Sequence, residues 1–172
     1  MRKTALTDTQ DATSFEQRRL PRKNVLLSGV LINASGETGS GCIIRDKHSS
    51  GAAITLSKPL QVGSRVFLLD IANAAAHDAR VAWSRPDRSG LSFTRNYVMG
   101  LGLPPALRFM WRFLFEARLR QAERAIASGV EADLALGTEG ITREYIHHMG
   151  RYASSDKRLL QLLQRAISLL DE

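Results

Sequence analysis

Apolar and polar residues alternate in short runs over the first half of the chain, as they do in β-strands that bury one face. The runs are separated by turn-forming Gly, Pro, Asp and Ser residues. They are Val25 to Ile32, Gly41 to Arg45, Gly51 to Leu56, Arg65 to Ile71, Asp78 to Arg85 and Leu91 to Phe93. Several short strands at this spacing favour a sandwich or a small barrel. The pattern therefore predicts a β unit that extends to about residue 97.

After Phe93 the apolar residues recur at helical spacing. Pro104 and Pro105 can open a helix, because proline fits its first turn, and Gly129 is a suitable stop. Two neighbouring apolar stripes lie between them: Leu107, Met110, Leu114 and Ala117 in one, and Trp111, Phe115, Leu119, Ala122 and Ile126 in the other. So wide an apolar surface predicts burial on two sides, against the barrel and against a second partner.

Two shorter helices are predicted further on, from Arg143 to Met149 and from about Asp156 to Leu170. Apolar residues line one side of the second of these in an a/d pattern. With the first helix they make up an extension of about three C-terminal helices over residues 104–172. Their expected caps are Thr142 and Gly150 for the first of the two, and Ser154 or Ser155 for the second.

Composition narrows the class of protein. The chain has 172 residues and a formal net charge of +7, which favours anionic partners such as nucleotides, nucleic acid or a membrane surface. Its single cysteine, Cys42, excludes an intrachain disulfide and a multi-cysteine metal site. Residues 1–17 are polar and are expected to be mobile. They lack the apolar stretch of a secretory signal, and no later run is long enough to span a bilayer, so a cytoplasmic protein is expected.

Catalytic and metal-binding signatures are not found in the sequence. The histidines lack the spaced partners that a zinc site needs, and the glycines at 36, 39 and 41 are not followed by a Walker lysine. Ser, His and Asp residues occur without a nucleophile elbow. We therefore expect no enzyme activity, no metal and no cofactor.

Two polar segments instead indicate an anion site. Arg18 and Arg22 lie four residues apart just before the first strand, and Arg19 and Lys23 form a second cationic pair one step along. Arginine offers a planar fork of donors that grips a phosphate or a guanine edge with paired hydrogen bonds. The second segment, Asp46-Lys47-His48-Ser49-Ser50-Gly51, opens the third strand.

Together the two segments resemble the signature of the PilZ family, which is RxxxR before the first strand and [DN]xSxxG at the turn between the second and third strands. The resemblance continues with Val81-Ala82-Trp83 and Gly90-Leu91-Ser92-Phe93, and covers residues 17–94. It departs at the serine of the second motif, which is His48 here. The resemblance implies a six-stranded antiparallel PilZ-type barrel over residues 18–97. It also implies a non-catalytic receptor for the second messenger cyclic di-GMP that binds through Arg18, Arg19, Arg22, Asp46, His48 and Gly51.

The family resemblance also implies a role for most of these residues. Arg18 and Arg22 would meet the phosphates and the Hoogsteen edge of guanine, or they form a solvated basic linker. Asp46 would accept hydrogen bonds from guanine N1–H and N2–H, or it stabilises the turn. Gly51 would let the ligand approach the backbone closely. His48 would stack on guanine or, when protonated, meet a phosphate; alternatively it faces solvent in the turn.

In the leading hypothesis, nucleotide binding at the arginine segment changes the helices or a partner protein. One alternative is a PilZ-like module that binds no nucleotide and self-associates through Trp111 and Phe115. Another is a nucleic-acid-binding regulator, because residues 140–146 followed by an apolar helix loosely resemble a helix-turn-helix.

Overall fold

Six antiparallel strands close into a barrel in the computed structural model, which describes residues 23–100, 102–153 and 155–171. The order around the barrel is β1-β2-β3-β6-β5-β4. The alternating runs had left a sandwich or a small barrel open, and the closed sheet confirms the six-stranded antiparallel barrel that the family resemblance implied. The strands are β1 (Lys23–Asn33), β2 (Gly39–His48), β3 (Gly51–Thr55), β4 (Arg65–Asp70), β5 (Ala75–Ser84) and β6 (Arg88–Val98).

The barrel interior is filled by alternate apolar residues of the strands, with Ile44, Ile54 and Leu68 fully buried. Cys42 lies in this interior, where burial raises the pKa of its thiol to about 12. The thiol is therefore protonated at neutral pH and acts as a small apolar side chain.

Strand β4 is buried on both faces, which explains its uninterrupted apolar run. Val66 and Leu68 point into the barrel, whereas Phe67 and Leu69 belong to a second core on the outside. Four α-helices contribute residues to that second core. A 3₁₀ turn (Pro105–Leu107) leads into α1 (Met110–Ala127), α2 (Ala132–Thr138), α3 (Arg143–Gly150) and α4 (Lys157–Leu170).

The second core joins the barrel and the helices. Ile32 and Phe67 of the barrel share it with Phe115 of α1, Leu136 of α2 and Leu163 of α4. The predicted two-sided burial of the first helix is confirmed, and its second partner is the set of later helices. Trp111 and Phe115 are themselves buried, against Tyr152 and Tyr145. Self-association would therefore have to use another surface.

Several helix boundaries differ from the prediction. The prolines open a 3₁₀ turn rather than α1, and this turn lets Phe109 pack edge-on against Phe67. Helix α2 was missed because its seven residues are too few to show a period. Thr142 caps α3 as predicted, by accepting from the Tyr145 amide, but Gly150 is the last residue of α3.

The predicted cap of α4 was also wrong. Asp156 is its N-cap, because its carboxylate accepts the Leu159 amide at 3.1 Å and is favoured by the helix dipole. None of the helices in the described ranges has the length and apolar character needed to cross a bilayer.

Candidate functional site

Strand pairing brings the start of β1 to the end of β2. Lys23 pairs with Lys47, and Asn24 pairs with Asp46. The chain therefore enters the barrel directly beside the second predicted motif. The predicted ligand residues Arg18, Arg19 and Arg22 lie outside the described residues, and their roles stay predictions.

A β-bulge between Ile44 and Asp46 decides which way Asp46 points. Ile44 pairs with Ile54 inside the barrel, and regular alternation would direct the residue two places later inward as well. The bulge adds a residue and pairs Asp46 with Ala53, which faces outward. Asp46 therefore lies on the outer face of the barrel, half-buried, while Lys47 points inward.

Two rows of cross-strand neighbours run over this outer face of β2, β3, β6 and β5. Residues paired across strands share a face. The first row is Asp46, Ala53, Gly90 and Trp83 in order across the four strands. The second row is His48, Gly51, Ser92 and Arg80. We call these eight residues the outer platform. Its ends carry the charged and aromatic side chains, and its middle is made of small residues.

The two glycines in the middle of the outer platform are required for different physical reasons. A Cβ on Gly51 would lie 2.5 Å from the carbonyl oxygen of Leu91, so the close approach of β3 and β6 requires glycine there. A Cβ on Gly90 would lie 2.0 Å from Nε1 of Trp83, because the indole lies across this position. The Trp83 ring in turn has the Arg85 guanidinium 5.6 Å from its centroid, a cation–π distance.

His48 belongs to the turn and to the platform together. Its Nδ1 accepts the Ser50 amide at 3.3 Å and is 3.0 Å from the Ser50 hydroxyl, which must then be the donor. The other side of the ring lies beside Gly51, 3.3 Å from where a Cβ would be. His48 is thus half-buried and held by the turn through one nitrogen. Its predicted contact with a nucleotide stays a prediction.

Basic side chains surround the platform. Arg80 lies within it, and Arg85 and Arg88 lie beside it, all three exposed. Arg45, also exposed, donates from Nε to the Thr55 hydroxyl at 3.1 Å. Exposed guanidinium groups around a shallow face favour a polyanion such as a phosphodiester.

A buried ion pair lies behind the motif. Lys47 Nζ donates to Asp70 Oδ2 at 2.7 Å, and the Asp70 side chain is fully buried. Burial acts to raise the pKa of Asp70, but hydrogen bonds from Lys47 and Asn73 outweigh it and hold the pKa below its ordinary value. Beside this pair, a cavity of about 550 Å³ opens between β1 and the β2–β3 turn.

The sequence prediction brought together only part of this site. It named Asp46, His48 and Gly51, which the structure places on one face. It used Trp83 and Gly90 as family marks without a role, and it missed Arg80. Trp83 stands at an alternate position of the fifth apolar run, and this was the sequence signal that could have indicated an aromatic side chain on that face. Within the described ranges no cluster of His, Cys, Asp and Glu is arranged to hold a metal.

Comparisons with known proteins find a similarity among solved structures. No family model and no curated protein sequence matches this chain. Among solved structures, it is similar to the PilZ domain of CeSA from a cellulose-synthesizing bacterium, with 18% identity and a TM-score of 0.38. That match covers 57% of this chain and 98% of the other.

Proposed function

We propose that this chain is a non-catalytic cytoplasmic receptor for cyclic di-GMP, which binds across the outer platform and is gripped by the arginine segment before β1. The observation that carries the proposal is the first platform row. It sets a carboxylate and an indole at opposite ends of a small-residue floor made by Ala53 and Gly90. That arrangement suits a flat base with a donor edge.

Asp46 supplies the base selectivity in this proposal. Guanine presents two adjacent donors, N1–H and N2–H, and a carboxylate accepts both in paired, charge-assisted hydrogen bonds. Adenine lacks that donor pair. The bulge is what turns the carboxylate outward, and without it the charge would face the apolar barrel interior.

Trp83 supplies a stacking surface for a base. Stacking of a base on an aromatic side chain contributes about 1–3 kcal/mol, judged by alanine substitution. Because Gly90 has no side chain, the indole can lie across this position of the sheet. A base that stacks on the ring would take the place of the Arg85 guanidinium, which lies 5.6 Å from the ring centroid.

In this proposal, arginines bind the phosphates of cyclic di-GMP. Arg18, Arg19 and Arg22 precede β1, whose first residue pairs with the end of β2. A nucleotide bound both by this segment and by Asp46 would link the residues before β1 to the end of β2. Strand β1 also packs against α1, and Arg112 of α1 donates to the carbonyls of Gly36 and Glu37 in the β1–β2 loop. A change at the start of β1 on ligand binding would therefore be passed on to the helices, or to a protein that docks on them.

Single substitutions test this proposal by calorimetric titration with cyclic di-GMP. Asp46→Ala and Arg22→Ala are each expected to abolish measurable binding, and Trp83→Ala to weaken it about 10-fold or more. The matched control is Asp87→Ala, which removes an exposed aspartate of the β5–β6 turn outside the platform. Unchanged affinity in both Asp46→Ala and Arg22→Ala would contradict the proposal.

A further inference from the structure

Strand β6 holds the β2–β3 turn from behind through two hydrogen bonds. The Phe93 amide donates to the Ser50 carbonyl at 2.9 Å. The Asn96 side chain donates from Nδ2 to the Ser49 carbonyl at 3.1 Å. These bonds join residues more than 40 positions apart, and they act on the turn that carries His48 and Gly51.

His77 of β5 fixes the Asn96 amide in place. Since a carbonyl oxygen can only accept, the bond to Ser49 requires the Nδ2 side of the amide to face the turn. The Oδ1 side therefore faces His77, whose Nδ1 lies 2.7 Å away. Nδ1 must be the donor, so His77 carries its proton on Nδ1 and its Nε2 is bare.

The surroundings of His77 favour the neutral form of the ring. The side chain is 5% exposed and stacks on Phe93, with ring centroids 4.2 Å apart and planes 7° from parallel. Desolvation lowers the pKa of His77, and the Lys47 charge lowers it further, against the opposing effects of Asn96 and Asp70. Its Nε2 has no hydrogen-bond partner among the described residues, as a neutral Nδ1–H imidazole in an apolar setting allows.

We infer that His77 and Asn96 are positioning residues for the nucleotide site: they hold the β2–β3 turn, and with it His48 and Gly51, in the geometry that the ligand meets. This inference rests on the proposed function. Neither side chain lies on the outer platform, and each acts through the turn. A preorganised turn avoids the free-energy cost of ordering during binding.

The experiment is a cyclic di-GMP titration of four variants with the wild type. Asn96→Ala removes both the bond to Ser49 and the bond to His77, whereas His77→Leu removes only the second. Each variant is expected to bind about 5- to 10-fold more weakly. His77→Asn keeps a donor near the position of Nδ1 and is expected to restore affinity toward the wild type. Thr94→Val is the matched control, because Thr94 lies on the same strand and donates to the Asp78 carbonyl, away from the turn.

The outcomes separate the inference from the proposed function. If the wild type binds and Asn96→Ala binds as tightly as Thr94→Val, the positioning role is overturned and the receptor function stands. If the wild type does not bind, the proposed function fails, and the positioning role fails with it. Nitrogen-15 shifts of the His77 ring test the geometry without a ligand. A proton on Nδ1 supports the inference, and a proton on Nε2 overturns it.

Discussion

Replacing Gly51 with alanine tests whether packing alone requires glycine at this position, separately from any requirement for ligand binding. In Gly51→Ala the new Cβ would lie 2.5 Å from the Leu91 carbonyl oxygen, where ordinary van der Waals contact begins at 3.4 Å. The difference, 3.4 − 2.5, means that β3 and β6 must move apart by about 0.9 Å. The obstacle is backbone in a paired strand, so it cannot swing aside.

Overpacking of this kind costs about 1–3 kcal/mol of the free energy of unfolding. For a chain of this length, a loss of about 2 kcal/mol lowers Tm by roughly 4–8 °C. Urea denaturation followed by far-ultraviolet circular dichroism, with no nucleotide present, measures the loss. Binding plays no part in this assay, so the effect reports the packing alone.

Gly41→Ala is the matched control. Gly41 lies on β2, and a Cβ there would meet nothing within 4 Å. Alanine in such a strand position is expected to be neutral or to stabilise by up to about 1 kcal/mol, because glycine loses more backbone entropy on folding. If Gly51→Ala is as stable as the wild type, the packing argument for this glycine is refuted.

Three further predictions concern the interior and the platform. Lys47→Met is expected to lower the free energy of unfolding by about 3 kcal/mol, because it leaves the buried Asp70 charge without its cation; adding Asp70→Asn should recover part of the loss in urea denaturation. His77 has a lowered pKa in the fold, so the unfolded chain takes up its proton first. Its stabilising effect is present above about pH 6.5 and declines as the pH falls, by at most about 1.4 kcal/mol per pH unit. Gly90→Ala should displace the Trp83 indole and shift the tryptophan emission without unfolding the chain.

Each of these has a contradicting result. Wild-type stability of Lys47→Met would show that the buried carboxylate does not depend on its ion pair. If the stability of His77→Asn depends on pH between 7.5 and 5.5 in the same way as that of the wild type, His77 is not the cause of the pH dependence. An unchanged emission spectrum in Gly90→Ala, compared with Gly41→Ala, would mean that the indole does not lie across Gly90.

The strands were predictable because each apolar run ended at turn residues. The run in β4 also signalled burial on both faces, since Val66, Phe67, Leu68 and Leu69 leave no polar side. Strand β6 was predicted too short, as only Leu91 to Phe93. Its second half is mostly exposed and carries polar residues on both faces, so it has no alternation to detect.

The site was less predictable because its geometry depends on distant pairings. The motif spacing led to Asp46, His48 and Gly51, but spacing does not reveal the bulge that turns Asp46 outward. Likewise, the pairing of Trp83 with Gly90 and of Gly90 with Ala53 depends on how three strands align in the closed barrel. Local pattern cannot supply that register, because it is decided by packing among the strands together.

Calorimetric titration of the whole chain with cyclic di-GMP, with GTP as the control nucleotide, decides whether this protein is a receptor for the cyclic dinucleotide. GTP carries the same guanine edge and more phosphate charge, but it lacks the cyclic two-guanine shape. We expect saturable heat with cyclic di-GMP, little with GTP, and none with cyclic di-GMP in Asp46→Ala. No heat from cyclic di-GMP with the folded wild type, or equal affinity for GTP, would contradict it.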